Sequence, residues 1–183
     1  MKKILSFTLE VIKVLIISLV IVIPIRYFLF QPFFVRGESM EPNFENGDYL
    51  IVDEISYYFR EPKRGEVIVF QYPDNPSQRF IKRIIGLPGE TVEIKDGQIK
   101  ISIGETEEFL NESSYLSDSI KTLGDVRVVL KNDEYFVLGD NRLYSFDSRR
   151  FGILPKDNII GRVFLRAWPF ASLNIFETPL YNK

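Results

Sequence analysis

Short runs of alternating apolar and polar residues fill most of the chain after residue 35, and they are rich in Val, Ile, Phe and Tyr. Alternation with a period of two places every second side chain on one face of a strand. Gly, Asp, Asn and Pro separate the runs, as they do at turns between strands. The pattern predicts eight strands, at Tyr49–Val52, Glu66–Tyr72, Phe80–Leu87, Thr91–Lys95, Gln98–Ile101, Val126–Leu130, Glu134–Leu138 and Ile159–Ala167.

The turns between these runs indicate antiparallel pairing. Asp96-Gly97 is a two-residue hairpin signal, and Pro73-Asp74-Asn75-Pro76 is a turn cluster. Residues 104–124 are mainly polar and predict a loop-rich insertion. Because no helical pattern alternates with the strands, the sequence favours an all-β fold over an α/β fold.

The N-terminus has a different pattern, since residues 4–30 are largely apolar and follow two lysines. A membrane-spanning helix needs about 20 apolar residues, and Val14–Phe30 lies at the short end of that range. Lys13 and Arg26 lie near its ends, where long side chains reach the lipid headgroups. We therefore predict one N-terminal transmembrane helix. The alternatives are a cleaved signal peptide, for which Val35-Arg36-Gly37 is a loose cleavage site, and a buried amphipathic helix.

Composition narrows the possible chemistry. The net charge of −2 gives no electrostatic reason to expect a nucleic-acid partner. The absence of cysteine excludes disulfides, thiolate metal sites and a Cys nucleophile. The absence of histidine excludes a Ser-His-Asp triad and a His-ligated zinc site. A hydrolase of this composition would use a Ser–Lys pair, a carboxylate pair, or a metal held by oxygen ligands.

Ser39 and Lys82 are the candidate pair. Ser39 precedes Pro42, and its other interpretation is an ordinary turn serine. On a strand, Lys82 shares a face with Phe80 and Ile84, and apolar neighbours lower the pKa of an amine toward a value useful for a general base. Its other interpretation is a solvated lysine on an edge strand. Without histidine, a desolvated lysine is the best available base for a serine nucleophile.

A polar cluster from Gly139 to Gly152 is the third candidate feature. It is either a polar turn after a strand or part of a site. A metal site made of Asp140, Asp147 and Asp157 is disfavoured, because three nearby arginines would pair with those carboxylates. These arginines are Arg142, Arg149 and Arg150. We expect neither a metal nor a cofactor.

Four sequence boxes carry these candidates. They are Ser39-Met40-x-Pro42, Gly47–Val52, Phe80–Ile84 with Gly86–Gly89, and Gly139–Arg142 continued by Ser145, Asp147, Ser148, Arg149 and Gly152. In sequence and order the boxes resemble those of bacterial type I signal peptidases, which are membrane-anchored serine proteases with a Ser/Lys dyad. The resemblance covers nearly the whole chain except the segment around residues 100–125.

The resemblance implies an all-β catalytic domain with a smaller inserted β-subdomain, preceded by the transmembrane helix. The expected ranges are 1–34 for the anchor, 35–92 with 134–170 for the catalytic domain, 93–133 for the insertion and 171–183 for a C-terminal tail. Ser39 would attack the scissile carbonyl, and Lys82 would be the general base. Ser145 would orient the Lys82 amine, and Asp147 would form a supporting ion pair with Arg149.

The oxyanion hole is expected to depart from that of some family members. A hydroxyl two residues before the nucleophile helps their hole, but Gly37 occupies this position here. Backbone N–H groups, such as that of Ser39, would then stabilise the oxyanion.

The resemblance also implies the partners and the location. Substrates would be signal peptides of exported preproteins, cut after small-x-small motifs such as Ala-x-Ala. The lipid bilayer would be the second partner, with the N-terminus cytoplasmic and the catalytic domain extracytoplasmic at the plasma membrane. Aromatic residues near both ends of the catalytic domain would either rest on the bilayer or lie in the core. The rival functions are a self-cleaving Ser–Lys protein and a membrane-tethered β-module that binds extended peptides without cutting them.

Overall fold

The structure is a computed structural model that describes residues 2–28, 30–179 and 181, with side chains described for residues 7–20, 31–179 and 181. Its helices are α1 (Lys2–Phe28), α2 (Ser56–Phe59) and α3 (Ser148–Phe151). Its strands are β1 (Phe30–Phe34), β2 (Tyr49–Asp53), β3 (Val67–Tyr72), β4 (Asn75–Gly86), β5 (Thr91–Lys95), β6 (Gln98–Ile103), β7 (Thr106–Phe109), β8 (Val126–Val129), β9 (Glu134–Leu138), β10 (Leu154–Pro155), β11 (Ile159–Trp168) and β12 (Asn174–Ile175).

The larger sheet carries the candidate base Lys82 and the loop of residues 35–48, here named the nucleophile loop because it contains the candidate nucleophile Ser39. Its strands lie in the order β1-β2-β11-β3-β4-β9-β10, with β12 paired to β11. Every pairing is antiparallel. Strand β9 pairs with β4 only from Arg83 to Gly86, so the preceding half of β4 is bonded to β3 alone among the described residues. This half of β4 therefore leaves one edge open, next to Lys82.

The smaller sheet is made of β7-β6-β5-β8, also antiparallel. Its β5–β6 hairpin turns at Asp96-Gly97, where φ is 53° and 82°. Positive φ at both central residues is what a type I′ hairpin turn requires, so the predicted hairpin signal acts as expected. Ile94 and Ile99 from this sheet pack with Ile85 and Phe136 from the larger one. This shared apolar cluster joins the two sheets.

The larger sheet buries both of its faces around the site. Val67 and Val69 of β3 pack with Met40, Phe44 and other residues beneath the nucleophile loop. On the opposite face, alternate residues of the same strand join a second cluster, which contains Ile68, Phe70, Ile84, Tyr135, Val137 and Leu154. The all-β prediction for the part after the N-terminal helix is thus confirmed.

The N-terminal segment that the sequence predicts to be a transmembrane helix forms the helix α1. Among the helices in the described residues, none is both long and apolar enough to cross a membrane. The predicted anchor, 1–34, includes residues 1 and 29 and the side chains of residues 1–6 and 21–30, which lie outside the described part.

Three segments differ in detail from the sequence prediction. Residues 30–34, expected to belong to the anchor, form β1 and pair with β2, because a short apolar run does not by itself distinguish a helix from a buried strand. Residues 104–124 were expected to be loop-rich, yet they contain β7, which pairs with β6. Periodicity did not predict β7, whose sequence is Thr-Glu-Glu-Phe. All four of its residues are exposed, so the strand has no alternating apolar positions. The segment 171–183, expected to be a tail, contributes β12 to the larger sheet.

Candidate active site

Ser39 lies in a loop between β1 and β2 that closes on itself. Val35 N–H donates to Asp48 O at 2.9 Å, and Gly47 N–H donates to Val35 O at 3.0 Å. Within the loop, Met40 is fully buried and its carbonyl accepts the N–H of Phe44 at 3.0 Å. The apolar residues of the loop thus anchor it to the core, and Ser39 is left half-buried at its surface.

Lys82 comes from the middle of β4 and meets Ser39 across the open edge of the sheet. Its Nζ lies 2.7 Å from Ser39 Oγ and 2.8 Å from the carbonyl oxygen of Ile81. The Phe80 ring centroid lies 5.6 Å from Nζ, as expected for two residues on the same strand face. Although the two polar residues are far apart in sequence, the fold brings them within hydrogen-bond distance.

Burial sets the proton affinity of Lys82, which is only 4% exposed. Desolvation lowers the pKa of Lys82 from 10.5 to about 8, while the charges of Asp147 and Asp140 oppose this shift. A charged amine is costly to bury, and these carboxylates are not close enough to cancel the cost. Lys82 is therefore poised to exist in both protonation states near neutral pH.

Asp147 lies behind the lysine and pairs with Arg149. The carboxylate accepts Arg149 Nε at 2.9 Å and Nη2 at 2.8 Å, and it also accepts the N–H of Gly139 at 3.0 Å. Burial raises the pKa of Asp147, but the hydrogen bonds and charge of Arg149 outweigh burial and hold the pKa below its usual range. Asp147 is thus ionised, and its charge is neutralised within the site.

Asp140 is paired by a residue that the sequence did not suggest. Arg83 donates to the two carboxylate oxygens at 2.8 and 2.6 Å, and both residues are buried. Of the three arginines expected to pair with the carboxylates, only Arg149 does so in the described structure. Arg142 instead binds Glu112 of the insertion, at 2.6 and 2.7 Å. The expectation for Arg142 was wrong because its partner is distant in sequence.

Ser145 does not make the expected hydrogen bond to Lys82 in this structure. Its Oγ is buried and makes no well-formed hydrogen bond among the described atoms, although it interacts with the Asp147 carboxylate and helps to lower the pKa of Asp147. Lys82 Nζ instead bonds Ser39 Oγ and the carbonyl of Ile81, which occupy two of its bonding positions. Ser145 does lie in the site, because a Cβ on Gly139 would overlap both Ser145 Oγ and the carbonyl of Ser39.

A groove of about 510 Å³ opens over Ser39 and Lys82. One side is formed by Pro32, Phe33 and Phe34 of β1, and the other by Arg79 to Lys82 of β4. Strand β1 pairs only with β2 in the described part of the chain, so each side presents a strand edge with open backbone groups. An extended peptide can pair with such an edge.

Comparison with known proteins shows the family of the chain. The family model described as "Signal peptidase, peptidase S26" matches residues 8–168, which include the nucleophile loop, both sheets and the last sequence box. The chain belongs to the signal peptidase family. The recognition made from the four sequence boxes is thereby confirmed.

Relatives of this signal peptidase extend over most of its length. Signal peptidase I of Leptolyngbya laminosa is 41% identical over 93% of this chain and 84% of that protein. Probable signal peptidase I-2 of Synechocystis sp. is 37% identical over 88% and 73% of the two chains. A crystal structure of a signal peptidase I from Enterococcus faecalis V583 matches 57% of this chain and 97% of that one, at 34% identity and a TM-score of 0.47.

Several residues that shape the site of this signal peptidase were missed from sequence. Asn141 donates its backbone N–H to Ser39 O at 3.1 Å and its side chain to Glu38 O at 3.0 Å. Asn43 donates its side-chain amide to Asp140 at 2.8 Å and so links the nucleophile loop to the partner of Arg83. The sequence held a partial signal for Arg83. Lys82 and Arg83 are successive cations on opposite faces of one strand, so at least one of them is not simply on a solvated face.

Proposed function

We propose that this protein is a serine endopeptidase that removes signal peptides from exported preproteins, with Ser39 as nucleophile and Lys82 as general base. The observation that carries the proposal is the 2.7 Å approach of Lys82 Nζ to Ser39 Oγ, in a groove bordered by open strand edges. Family membership supports the class of reaction, and the relatives are named signal peptidase I. The roles of the two residues follow from their geometry and from the lowered pKa of the lysine.

Acylation begins with neutral Lys82. Its lone pair accepts the proton of Ser39 Oγ as the oxygen attacks the scissile carbonyl. The resulting ammonium donates that proton to the leaving nitrogen when the peptide bond breaks, and the mature protein leaves with a free N-terminus. An ester joins Ser39 to the signal peptide. Lys82, neutral again, then accepts a proton from water as the water attacks this ester. The resulting ammonium returns the proton to Ser39 Oγ as the ester bond breaks, so the carboxylate product leaves and both Ser39 and neutral Lys82 are restored.

The oxyanion of each tetrahedral intermediate needs a donor near Ser39. Gly37 has no side-chain hydroxyl, and its N–H already donates to Asn46 Oδ1 at 3.0 Å. We assign the backbone N–H of Ser39 as the oxyanion donor. Such a fixed donor aligned with developing charge is commonly worth several kcal/mol, on the order of 3.

Ser145 and the Asp147–Arg149 pair have supporting roles in the proposal. Ser145 Oγ is buried, makes no well-formed hydrogen bond and interacts with the Asp147 carboxylate, so it is placed to orient the Lys82 amine once substrate displaces the present contacts. The Arg149 guanidinium keeps Asp147 ionised, and the Asp147 charge raises the pKa of Lys82 against the effect of burial. Together these residues set the amount of neutral lysine.

The groove suits a substrate with small side chains at alternate positions. An extended peptide bound to the strand edges points every second side chain toward the sheet, where aromatic side chains limit the space. These are Phe33, Phe34, Phe80 and Phe146. We propose that they restrict the cleavage site to a small-x-small motif of the Ala-x-Ala kind.

The membrane location is proposed from the sequence and the family. Val14–Phe30 is apolar apart from Arg26 near its end, and Lys13 directly precedes it. An anchor there would hold the groove near the bilayer where signal peptides emerge. We propose a single-pass protein with a cytoplasmic N-terminus and an extracytoplasmic catalytic domain. Alkaline extraction of membranes containing the full chain tests this, since an anchored protein stays in the pellet and a peripheral one is released.

Cleavage of a preprotein bearing an Ala-x-Ala site by the detergent-purified chain tests the reaction. We expect the parent to cut after the second small residue, as read by mass spectrometry, and Ser39→Ala to lose at least about 10³-fold in kcat. Circular dichroism of the variant serves as the folding control. A folded parent that binds the preprotein without cutting it would instead identify a peptide-binding module.

A further inference from the structure

The nucleophile loop, residues 35–48, is held from two sides, by a residue that follows β9 and by a residue of β11. On the side of Ser39, Asn141 donates to the carbonyls of Ser39 and Glu38. On the far side, the supporting residue is Arg166 of β11, which no sequence box contains. The loop is thus held at both ends of its central turn. The contact made by Arg166 is the one that the proposed reaction does not explain.

Arg166 reaches two separate points of the loop. Its Nη2 donates to the carbonyl of Asn43 at 3.0 Å, and its Nη1 donates to Asp48 Oδ2 at 3.0 Å. Asp48 is buried and its carboxylate also accepts the N–H of Glu45 at 3.0 Å. Arg166 therefore spans the segment from Asn43 to Asp48 and joins its two ends.

Two aromatic rings set the position of this guanidinium. Its central carbon lies 5.6 Å from the ring centroid of Phe44 and 5.4 Å from that of Phe176. The two rings pack on each other at 4.5 Å. Phe44 belongs to the loop, whereas Phe176 follows β12 and lies beyond the family match, which ends at residue 168. The C-terminal segment thus completes the support of the nucleophile loop.

The hydrogen bonds of Arg166 are those of a bridge between Asn43 and Asp48, and not those of a strong ion pair with Asp48 alone. A bidentate pair would place two guanidinium nitrogens on one carboxylate. Here Nη1 and Nη2 are divided between a carboxylate and a backbone carbonyl, while the buried Nε has no hydrogen-bond partner among the described atoms. The guanidinium thus gives up part of its best ion-pair geometry and gains a contact to the loop backbone.

Asn43 carries this support toward the site. Its carbonyl accepts Arg166, and its side-chain amide donates to Asp140, which pairs with Arg83 next to Lys82. Asn43 also ends the turn that begins at Met40, the residue after Ser39. A shift of Asn43 would therefore move Ser39 relative to Lys82.

We infer that Arg166 is a positioning residue for Ser39, acting through the backbone of Asn43. The inference rests on the proposed peptidase reaction. Arg166 does not line the groove, so it should affect the chemical step and not substrate binding. A displacement of about 1 Å between reacting atoms can cost up to about 100-fold in rate.

The test compares Arg166→Lys with a matched control, Arg162→Lys. Lysine keeps the charge beside Asp48 but lacks the fork that spans two acceptors. Arg162 lies on the same strand, pairs with Asp53 at 2.9 Å and has its guanidinium 5.6 Å from the ring of Phe164, away from the nucleophile loop. Both variants lose comparable ion-pair geometry, so a general loss of stability should be similar in the two.

We expect Arg166→Lys in the full chain to lower kcat at least about tenfold with KM changed less than about twofold, and Arg162→Lys to retain the parental kcat. Equal losses of kcat in both variants, or a change confined to KM, would overturn the inference. Backbone hydrogen exchange gives a readout that does not need activity: residues 35–48 should exchange faster in Arg166→Lys alone. If the parent cuts no preprotein, the reaction proposal fails, and unchanged exchange would separately overturn the support by Arg166.

Discussion

Lys82 shows how one buried amine acquires a working pKa from its surroundings. Burial lowers the pKa of Lys82, and two carboxylates at a distance, Asp147 and Asp140, prevent a larger fall. Each of these carboxylates has its own arginine, so neither forms a direct ion pair with the lysine. Direct pairing would hold the proton on the amine and remove the base.

The pH dependence of turnover should report this lysine. The proposed base is neutral Lys82, whose pKa burial lowers to about 8. Turnover by this form should make kcat/KM rise from pH 6 through about 8 and then level off. At pH 7 only about a tenth of the amine is neutral. A kcat/KM profile of a fluorogenic peptide checks this, and a flat profile over the same range would contradict the role of Lys82 as base.

Buried Lys82 should also lower the free energy of unfolding of the protein at neutral pH. The unfolded chain releases the Lys82 proton near 10.5 and the folded chain near 8, so between these values the unfolded state binds more protons and stability rises with pH. Lys82→Met removes the buried charge. It should raise the free energy of unfolding at pH 7 by on the order of 2 kcal/mol, which a higher melting temperature would show. The gain should shrink above pH 8 in thermal melts, and a variant less stable than the parent at pH 7 would disprove it.

At the scale of elements, the end of β9 and the nucleophile loop are in backbone contact. Gly139 follows β9 directly, and the next residues bring Asn141 against the carbonyl of Ser39. A side chain at Gly139 has no space, because its Cβ would overlap Ser145 Oγ and the backbone of Ser39. The glycine thus permits the loop and the last sequence box to meet.

Gly139→Ala should therefore separate these two elements. We expect a loss of about 1–3 kcal/mol in the free energy of unfolding and a fall in kcat of at least about tenfold. Gly161→Ala is the matched control, since its Cβ would lie 2.6 Å from the carbonyl of Asp53, away from Ser39. Urea unfolding and peptide turnover measure both effects. Equal kcat values for the two variants would argue against a specific effect on the site.

At the scale of the whole molecule, the C-terminal segment contacts the nucleophile loop, the start of β3 and the insertion. Phe176 packs on Phe44 beneath the nucleophile loop, and Thr178 donates to Glu66, directly before β3, at 3.2 Å. Tyr181 donates its hydroxyl to that of Tyr115, from the region between β7 and β8, at 3.2 Å. This segment is therefore part of the catalytic fold and not a dangling tail.

Removal of residues 174–183 should destabilise the entire protein. Loss of one packed phenylalanine alone costs about 3–5 kcal/mol, and the deletion also removes β12. We expect the urea midpoint to fall clearly below that of the parent. Tyr181→Phe removes only a hydroxyl and should cost about 1 kcal/mol. An unchanged midpoint in the deletion variant would show that the segment contributes nothing to the fold.

Local signals explain what could be predicted from sequence. Alternating apolar residues found most strands of both sheets, and Asp96-Gly97 found its hairpin, because each depends on a few adjacent residues. The four ordered boxes identified the family, and together with the absence of histidine they pointed to Ser39 and Lys82, which the fold places 2.7 Å apart. The exposed strand β7 escaped detection because it has no apolar face.

Tertiary structure alone decided which distant side chains meet. The proximity of arginines to carboxylates in the sequence did not predict that Arg83 pairs with Asp140 and that Arg142 pairs with Glu112. Arginine side chains are long, and they bind whichever acceptor the fold places near them. Nor did any pattern identify Arg166 or Phe176, whose contacts with the nucleophile loop depend on the order of β2, β11 and β12. The sequence by itself determined most of the strands and the candidate reacting groups, because adjacent residues encode them. The fold determined their distances and supports, because these arise from packing between segments that are far apart in the chain.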